Sequence, residues 1–575
     1  MLKTRITLLT ALGIGLASAQ SDPKSLVYSG NYQNGAFESL TFVNSVTGWD
    51  LFFNSGFRGG STVIGNIEAG HVWGGHEVFV RAPGVTNGVE NFNSTAPGAL
   101  NEFDFHATMV GHVLAGSGYI PDNGGSYTYV GLGMAPEAKL VSGAIAVDFS
   151  NTDVGSFSTT SQSVVSVYKA FFTGSGVDKP DVINSSWGGS DPAATAAESI
   201  SIDGLARQNA NVAFVVSAGN GGTDVVSGPA SGYNNISVGS LGGADFLQPS
   251  SFSSHGATDF YNPVTNQTIS GVRAAVDISA PGERMFLAAY LGNSGGIGAA
   301  IPGMTQTPSP TDQYFLNMDG TSFAAPMVAG GIALMKDAAN TLLASEANAQ
   351  DTRVVKSVLM TGSTATNGWN NGQNGMNVTT QALDLKTGAG AMDLVASADV
   401  YYFGTTDVDG AGGGLIDVNG WDSGTVSLGN FTDYLFAGEF TQDLALTVAL
   451  NWFAGRSFDG LTDTESDDFF ANLDLQVWSV DGNGTFVSKV GESMSIYNNT
   501  EFLRINWLAA GRYGLRVTFD EMVYDATNSV NSETYGLAWR TFAVPEPGCF
   551  ALVSLGLLAA FRRKRQRRVV HDVAA

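Results

Sequence analysis

The chain has 575 residues, 43% of them hydrophobic and 14% charged, a globular composition too long for a single core. Its net charge of −25 becomes about −32 once 1–19 and 562–575, which hold eight of the 27 Lys and Arg residues, are set aside; so acidic a surface excludes nucleic acid as a partner. One cysteine, Cys549, excludes an internal disulfide, so the fold must hold without bridges.

At the start, Lys3 and Arg5 precede an apolar run over 6–16, and Ala17-Ser18-Ala19 follows. That order predicts a secretory signal peptide over 1–19, cut after Ala19. Residues 20–49 form a lead-in, and only 48 residues separate Ala19 from Glu68, so no folding propeptide is expected. Over 50–398, short Val/Ile/Ala-rich runs at 62–67, 139–145, 181–185, 212–217, 236–239 and 276–279 predict strands buried on both faces. Helical patterns lie between them at 106–115, 161–172, 195–208 and 322–343, and the alternation predicts an α/β unit with a mainly parallel sheet. The Gly/Asn-rich stretch 362–377 is read as a loop within that unit.

Over 400–541 the helical signal fades. Runs at 425–428, 444–450, 473–478, 502–507 and 513–519 alternate apolar and polar residues between Gly, Asn and Asp, predicting a small antiparallel β-sandwich. The end, 542–575, reads Val544-Pro545-Glu546-Pro547, then an apolar stretch over 549–561, then six basic residues in 562–568. Thirteen apolar residues fall short of the roughly 20 a spanning helix needs. The order resembles the Pro-Glu-Pro sorting signal of Gram-negative bacteria, which exosortase-type enzymes process. That resemblance implies export, a transient C-terminal membrane anchor, and a final place on the cell surface or in the extracellular matrix.

The chemistry concentrates in four segments. Asp319-Gly320-Thr321-Ser322-Phe323-Ala324-Ala325-Pro326 opens a helix of small residues on a serine, whose hydroxyl would sit where the helix N-terminus stabilises developing negative charge. A simple N-cap is the alternative for Ser322 alone. The full string resembles the nucleophile segment of subtilisin-like serine proteases (subtilases). The base, oxyanion-hole and substrate-binding segments also match, and with the acid position they keep that family's order of acid, base and nucleophile.

Residues 106–116, His-Ala-Thr-Met-Val-Gly-His-Val-Leu-Ala-Gly, resemble its base segment, which implies His106 as general base. Met109 and His112 depart from the pattern, and His112 is read as a core neighbour. Ser217-Ala218-Gly219-Asn220-Gly221 resembles the oxyanion-hole segment, implying Asn220 as donor. Ser185-Ser186-Trp187-Gly188-Gly189 resembles the substrate-binding strand. Peptide binding would therefore fall to Ser186, Trp187, Gly188, Ala218 and Gly219, by strand addition and a pocket.

The acid is the departure. Where the family ends its first core strand on aspartate, this chain has Ile67-Glu68-Ala69-Gly70, 38 residues before His106. Glutamate can accept the imidazole N–H and fix its tautomer if the strand end retreats by one methylene. Asp104, a surface role for Glu68, and a catalytically impaired scaffold with a binding role are the competing readings; Glu68 as the orienting acid is the expectation.

No cofactor is expected to take part in the chemistry. The histidines at 71 and 76 with Glu77 lack metal-site spacing, and Asp407, Asp409, Asp463, Asp467 and Asp468 could hold a structural calcium only with help from loop carbonyls. The resemblance covers roughly 50–398 and implies a three-layer fold and cleavage of peptides or proteins through an acyl-enzyme on Ser322. Residues 400–541 more weakly resemble the jelly-roll-like domains attached to secreted peptidases.

Overall fold

The computed structural model describes residues 41–543 except 82–83, 122–126, 150–155, 289, 291–313 and 409, together with strand fragments between 28 and 37. The segment read as a signal peptide and the Pro-Glu-Pro tail lie outside the described residues. Among those described, no helix is long and apolar enough to cross a membrane.

The first unit is built on eight strands: β1 Val63–Glu68, β2 Val89–Phe92, β3 Lys139–Ala144, β4 Val182–Ser185, β5 Ala213–Ser217, β6 Ile236–Gly242, β7 Gln248–Pro249 and β8 Ile278–Pro281. Their order is β7-β6-β5-β4-β1-β3-β2, with β8 also on β6, and every pairing is parallel except β6 with β7. Alternate residues of each strand feed opposite cores. Ile64, Val182 and Val215 face helices α1 (Phe105–Ala115) and α4 (Thr321–Leu342), whereas Ile67, Ile183 and Val216 face α2 (Ser161–Thr173) and α3 (Ala197–Gln208). Burial on both faces explains the unbroken apolar runs.

The topology sets the site. The chain leaves β1 toward β3 on one side and leaves β4 toward β5 on the other, so β1 and β4 are neighbours whose connections diverge. Ligand crevices in open parallel sheets form at that switch, beyond the C-terminal strand ends. Glu68 ends β1 there, and Ser186 follows β4.

His112, fully buried in α1, is a structural clip. Ala288 N–H donates to its Nδ1 at 3.0 Å, and its Nε2 lies 3.0 Å from the Gly131 carbonyl, so the neutral Nε2–H tautomer satisfies both. Burial drives its pKa down to about 3. Unfolded, the group returns to an ordinary value near 6.5 and binds the extra proton, so stability is lost as pH falls from about 6.5 towards 3. Urea unfolding midpoints are expected to decline across that window, and His112→Gln, which retains a donor and an acceptor, is expected to decline less steeply. Equal slopes would contradict this.

After helices α5 (Thr352–Gly362) and α6 (Leu394–Tyr402) comes a β-sandwich of two mainly antiparallel sheets. Its strands are β9 Asn419–Ser427, β10 Phe431–Phe436, β11 Leu444–Trp452, β12 Gly455–Asp459, β13 Thr464–Val480, β14 Phe486–Ser493, β15 Thr500–Leu508, β16 Tyr513–Asp525 and β17 Ser532–Ala543. One sheet runs β14-β13-β16-β10 with β12 on β13; the other runs β9-β17-β11-β15. Three short strands add to these, and one of them, Val378–Thr379, comes from the first unit and pairs with β14. The sheets of the sandwich have seven and five strands among the described residues, and its last strand ends at Ala543.

The two units pack closely. Helix α5 lies on β17, with Ser357 Oγ donating to Gly536 O at 2.8 Å and Thr361 Oγ1 to Ala538 O at 3.1 Å. Helix α3 meets β12 at Gly204, where a Cβ would stand 2.5 Å from the Ser457 carbonyl carbon. Only glycine permits that approach.

Candidate active site

Glu68 and His106 meet. Glu68 is 1% exposed; its Oε1 accepts the Ser186 backbone N–H at 2.7 Å and its Oε2 lies 3.1 Å from His106 Nδ1. Both carboxylate oxygens are thus engaged, and the pair fixes the ring with Nε2 directed away from the strand end. Burial alone would lower the His106 pKa. The hydrogen bond and charge of Glu68, aided by Asp104, outweigh it and hold His106 above its ordinary value. Burial in turn pushes Glu68 up, against the pull of His106 and of the Ser186 N–H.

Asp104 has a different task. It caps α1, accepting the Ala107 N–H at 3.0 Å, and makes no bond to the ring. The local sequence places His106 at the second residue of that helix, just past the cap.

Ser322 is the second residue of α4 and is 7% exposed. Pro326 lies in the helix four residues on and cannot donate to the Ser322 carbonyl. Ser186 Oγ donates to that carbonyl instead, at 3.0 Å, and Ser322 Oγ donates to Ser186 O at 3.3 Å. Ser186 therefore ties the acid to the nucleophile: its N–H holds Glu68, and its hydroxyl and carbonyl hold Ser322. Among the described residues no hydrogen bond joins His106 to Ser322. Such bonds tighten on substrate binding in many enzymes, so an apo arrangement of this kind is compatible with proton transfer.

Asn220 is exposed and oriented. Its Oδ1 accepts both Thr321 N–H and Thr321 Oγ1–H at 2.9 Å, which turns its amide Nδ2 outward as a donor. Thr321 Oγ1 also accepts the Gly219 N–H at 3.2 Å. Sequence reasoning passed over Thr321, although it sits inside the Gly-Thr-Ser string. Gly219 adopts φ +104°, in glycine's own region, and lets Asn220 reach this position.

A cleft of about 700 Å³ runs between Ser186–Ser190 and Ser217–Gly221 and reaches Ser322. Trp187 forms its wall, packing edge-on against Phe157 and tilted against Tyr168. A smaller recess of about 190 Å³ on its other side holds Glu68 and His106. Ala218 is buried, while Gly188 and Asn220 are open to the cleft. Of the aspartates named as calcium candidates, Asp463 pairs with Lys169 and Asp467 with Arg456, and Asp409 lies outside the described residues. Among the described residues no three His, Cys, Asp or Glu side chains converge as metal ligands would.

Residues 67–390 match the Subtilase family, and the chain belongs to that family. No relative among curated proteins matches the sequence. Among solved structures it is similar to the Prenylagaramide maturation protease PagA, at 18% identity over 62% of this chain and 99% of that one, with a TM-score of 0.42. It is also similar to a serine protease of Aeromonas sobria, at 14% identity over 91% and 95%, TM-score 0.46. The protease domain of PatA gives 19% identity over 59% and 94%, TM-score 0.39.

Proposed function

We propose that the protein is a serine endopeptidase that hydrolyses peptide bonds with a Ser-His-Glu triad. Ser322 Oγ attacks the scissile carbonyl as His106 Nε2 takes its proton, and the same proton then goes to the leaving amine. Water repeats the cycle on the acyl-enzyme. Glu68 holds His106 in the tautomer whose Nε2 is free to accept, and stabilises the imidazolium that forms. Asn220 Nδ2 and the Ser322 backbone N–H receive the oxyanion, and the segment at Trp187–Gly188, just past β4, pairs with extended substrate. No cofactor is needed for these steps.

The observation that carries this reading is the double engagement of Glu68, one oxygen on His106 and one on the strand beside Ser322. A scaffold with a binding role alone would not need a buried carboxylate aimed at an imidazole. Hydrolysis of fluorescein-labelled casein tests the reading. Asn220→Ala is expected to lower kcat by about 10²–10³, a magnitude known for the equivalent donor in subtilisin itself, with KM little changed. A kcat within a few-fold of the parent would remove Asn220 from the oxyanion site.

We further propose that the enzyme is exported and sorted outward, which the basic-apolar-small order of 1–19 and the Pro-Glu-Pro tail support.

A further inference from the structure

The loop from Ser227 to Asn235 has two faces. At one end Ser227 and Gly228 line the cleft. There Gly189 N–H donates to Gly228 O at 2.7 Å, and the Asp191 N–H donates to Ser227 Oγ, stitching the loop to the segment after β4 that carries Trp187 and Gly188. Gly188 approaches so closely that a Cβ on it would lie 3.0 Å from Gly228 O.

At the other end the loop is held by the β-sandwich. Asn234 exchanges two hydrogen bonds with the Ala454 backbone, at 2.8 and 3.0 Å. Asn499 Nδ2 donates to Tyr233 O at 2.8 Å. Asp203, on α3, accepts the Tyr233 and Asn234 N–H groups at 2.9 Å each, and is itself gripped by Arg456 Nη1 at 3.0 Å. Arg456 is fully buried, lies over the Tyr233 ring at 4.7 Å, and uses its other nitrogen on Asp467 at 2.9 Å.

We infer that the β-sandwich supports the substrate cleft from behind: Arg456 and Asn499 are positioning residues that hold the cleft wall through the 227–235 loop. This rests on the reading of the cleft as the peptide site. A wall held from outside the first unit keeps Gly188 and Gly228 in register for an extended chain, while Ser322, His106 and Glu68 are carried by α4, α1 and β1 and joined through Ser186 at the end of β4. Loss of the clamp therefore weakens substrate binding and leaves the reacting groups in place.

The test uses the full chain, as parent, Arg456→Met and Asn499→Ala. Amide hydrogen exchange is read over 187–191 and 227–235, alongside casein kinetics and the rate of fluorophosphonate labelling. Exchange in both segments is expected to rise about tenfold or more in the variants, with exchange in α4 unchanged. KM for casein is expected to rise about tenfold, with kcat and labelling rate within about threefold of the parent. Unchanged exchange in those segments would overturn the clamp. So would a fall in kcat and labelling at constant KM, which marks a general structural defect. If Arg456→Met does not fold, Asn499→Ala, which removes one amide at the same loop, decides the matter. A parent that neither labels nor cleaves would overturn the protease reading, while exchange would still report on the clamp.

Discussion

Ser322→Ala is expected to abolish hydrolysis of casein while leaving the fold intact. The Ser322 hydroxyl makes one long bond of 3.3 Å to Ser186 O, so its loss costs at most about 1 kcal/mol of stability. A change of that size moves the melting temperature by only a few degrees in a protein this large. The effect on rate is of another order. In subtilisin itself, loss of the nucleophile or base costs about 10⁶ in kcat, and the losses are not additive because the groups act as one unit. His106→Ala and the double variant are accordingly expected to fall to the same floor as Ser322→Ala. A double variant much slower than either single one would mean that the two side chains do not share a proton-transfer path.

Glu68→Gln is the second large effect, and its cause is geometric. The Ser186 N–H is a fixed backbone donor 2.7 Å from Oε1, so the glutamine carbonyl oxygen must turn to it. The amide NH₂ then faces His106 Nδ1 and donates to it. The ring is forced into the Nε2–H tautomer, which cannot accept the serine proton. Loss of about 10⁴ in kcat is expected, the magnitude found when a triad aspartate becomes asparagine in a serine protease. Glu68→Asp keeps the charge but retracts the carboxylate by one methylene, so it reaches Ser186 or His106 well, not both. About 10² is expected there. The pH profile separates the two effects. Glu68 holds His106 above its ordinary value near 6.5, so kcat/KM of the parent should fall away with a midpoint above that pH as the base protonates. Without the carboxylate charge, the residual activity of Glu68→Gln should persist to lower pH. An acid limb at the same position in both would remove Glu68 as the partner of His106.

Much of the first unit was legible because its strands are buried on both faces. The runs ending at Glu68, Ser185 and Ser217 contain little but apolar and small residues, and each lies within a residue or two of its predicted bounds. β2 was not legible. Val-Glu-Asn-Phe is a half-buried edge whose polar residues break the run. Polar residues likewise broke the runs of β10 and β14 and shortened β13, whose first residues Thr464–Asp468 are polar and pair with β12 rather than with the core. In the candidate site, Glu68, His106, Ser322 and Asn220 could be singled out because each sits in a contiguous string. Ser186 was read as a substrate residue, and the bonds its N–H, hydroxyl and carbonyl make to Glu68 and Ser322 had no local signal, because they depend on which neighbours the fold brings to the end of β4. The Asp203–Arg456 pair had no local signal at all; its members are 253 residues apart and meet only through packing of α3 on β12.

The most direct measurement is fluorophosphonate labelling of the purified full chain, with the modified residue identified by mass spectrometry, beside Ser322→Ala and Glu68→Gln. The account predicts a single adduct on Ser322 in the parent, none in Ser322→Ala, and labelling slowed by orders of magnitude in Glu68→Gln. A folded parent that takes no label, or labelling as fast in Glu68→Gln as in the parent, would contradict a Ser-His-Glu protease.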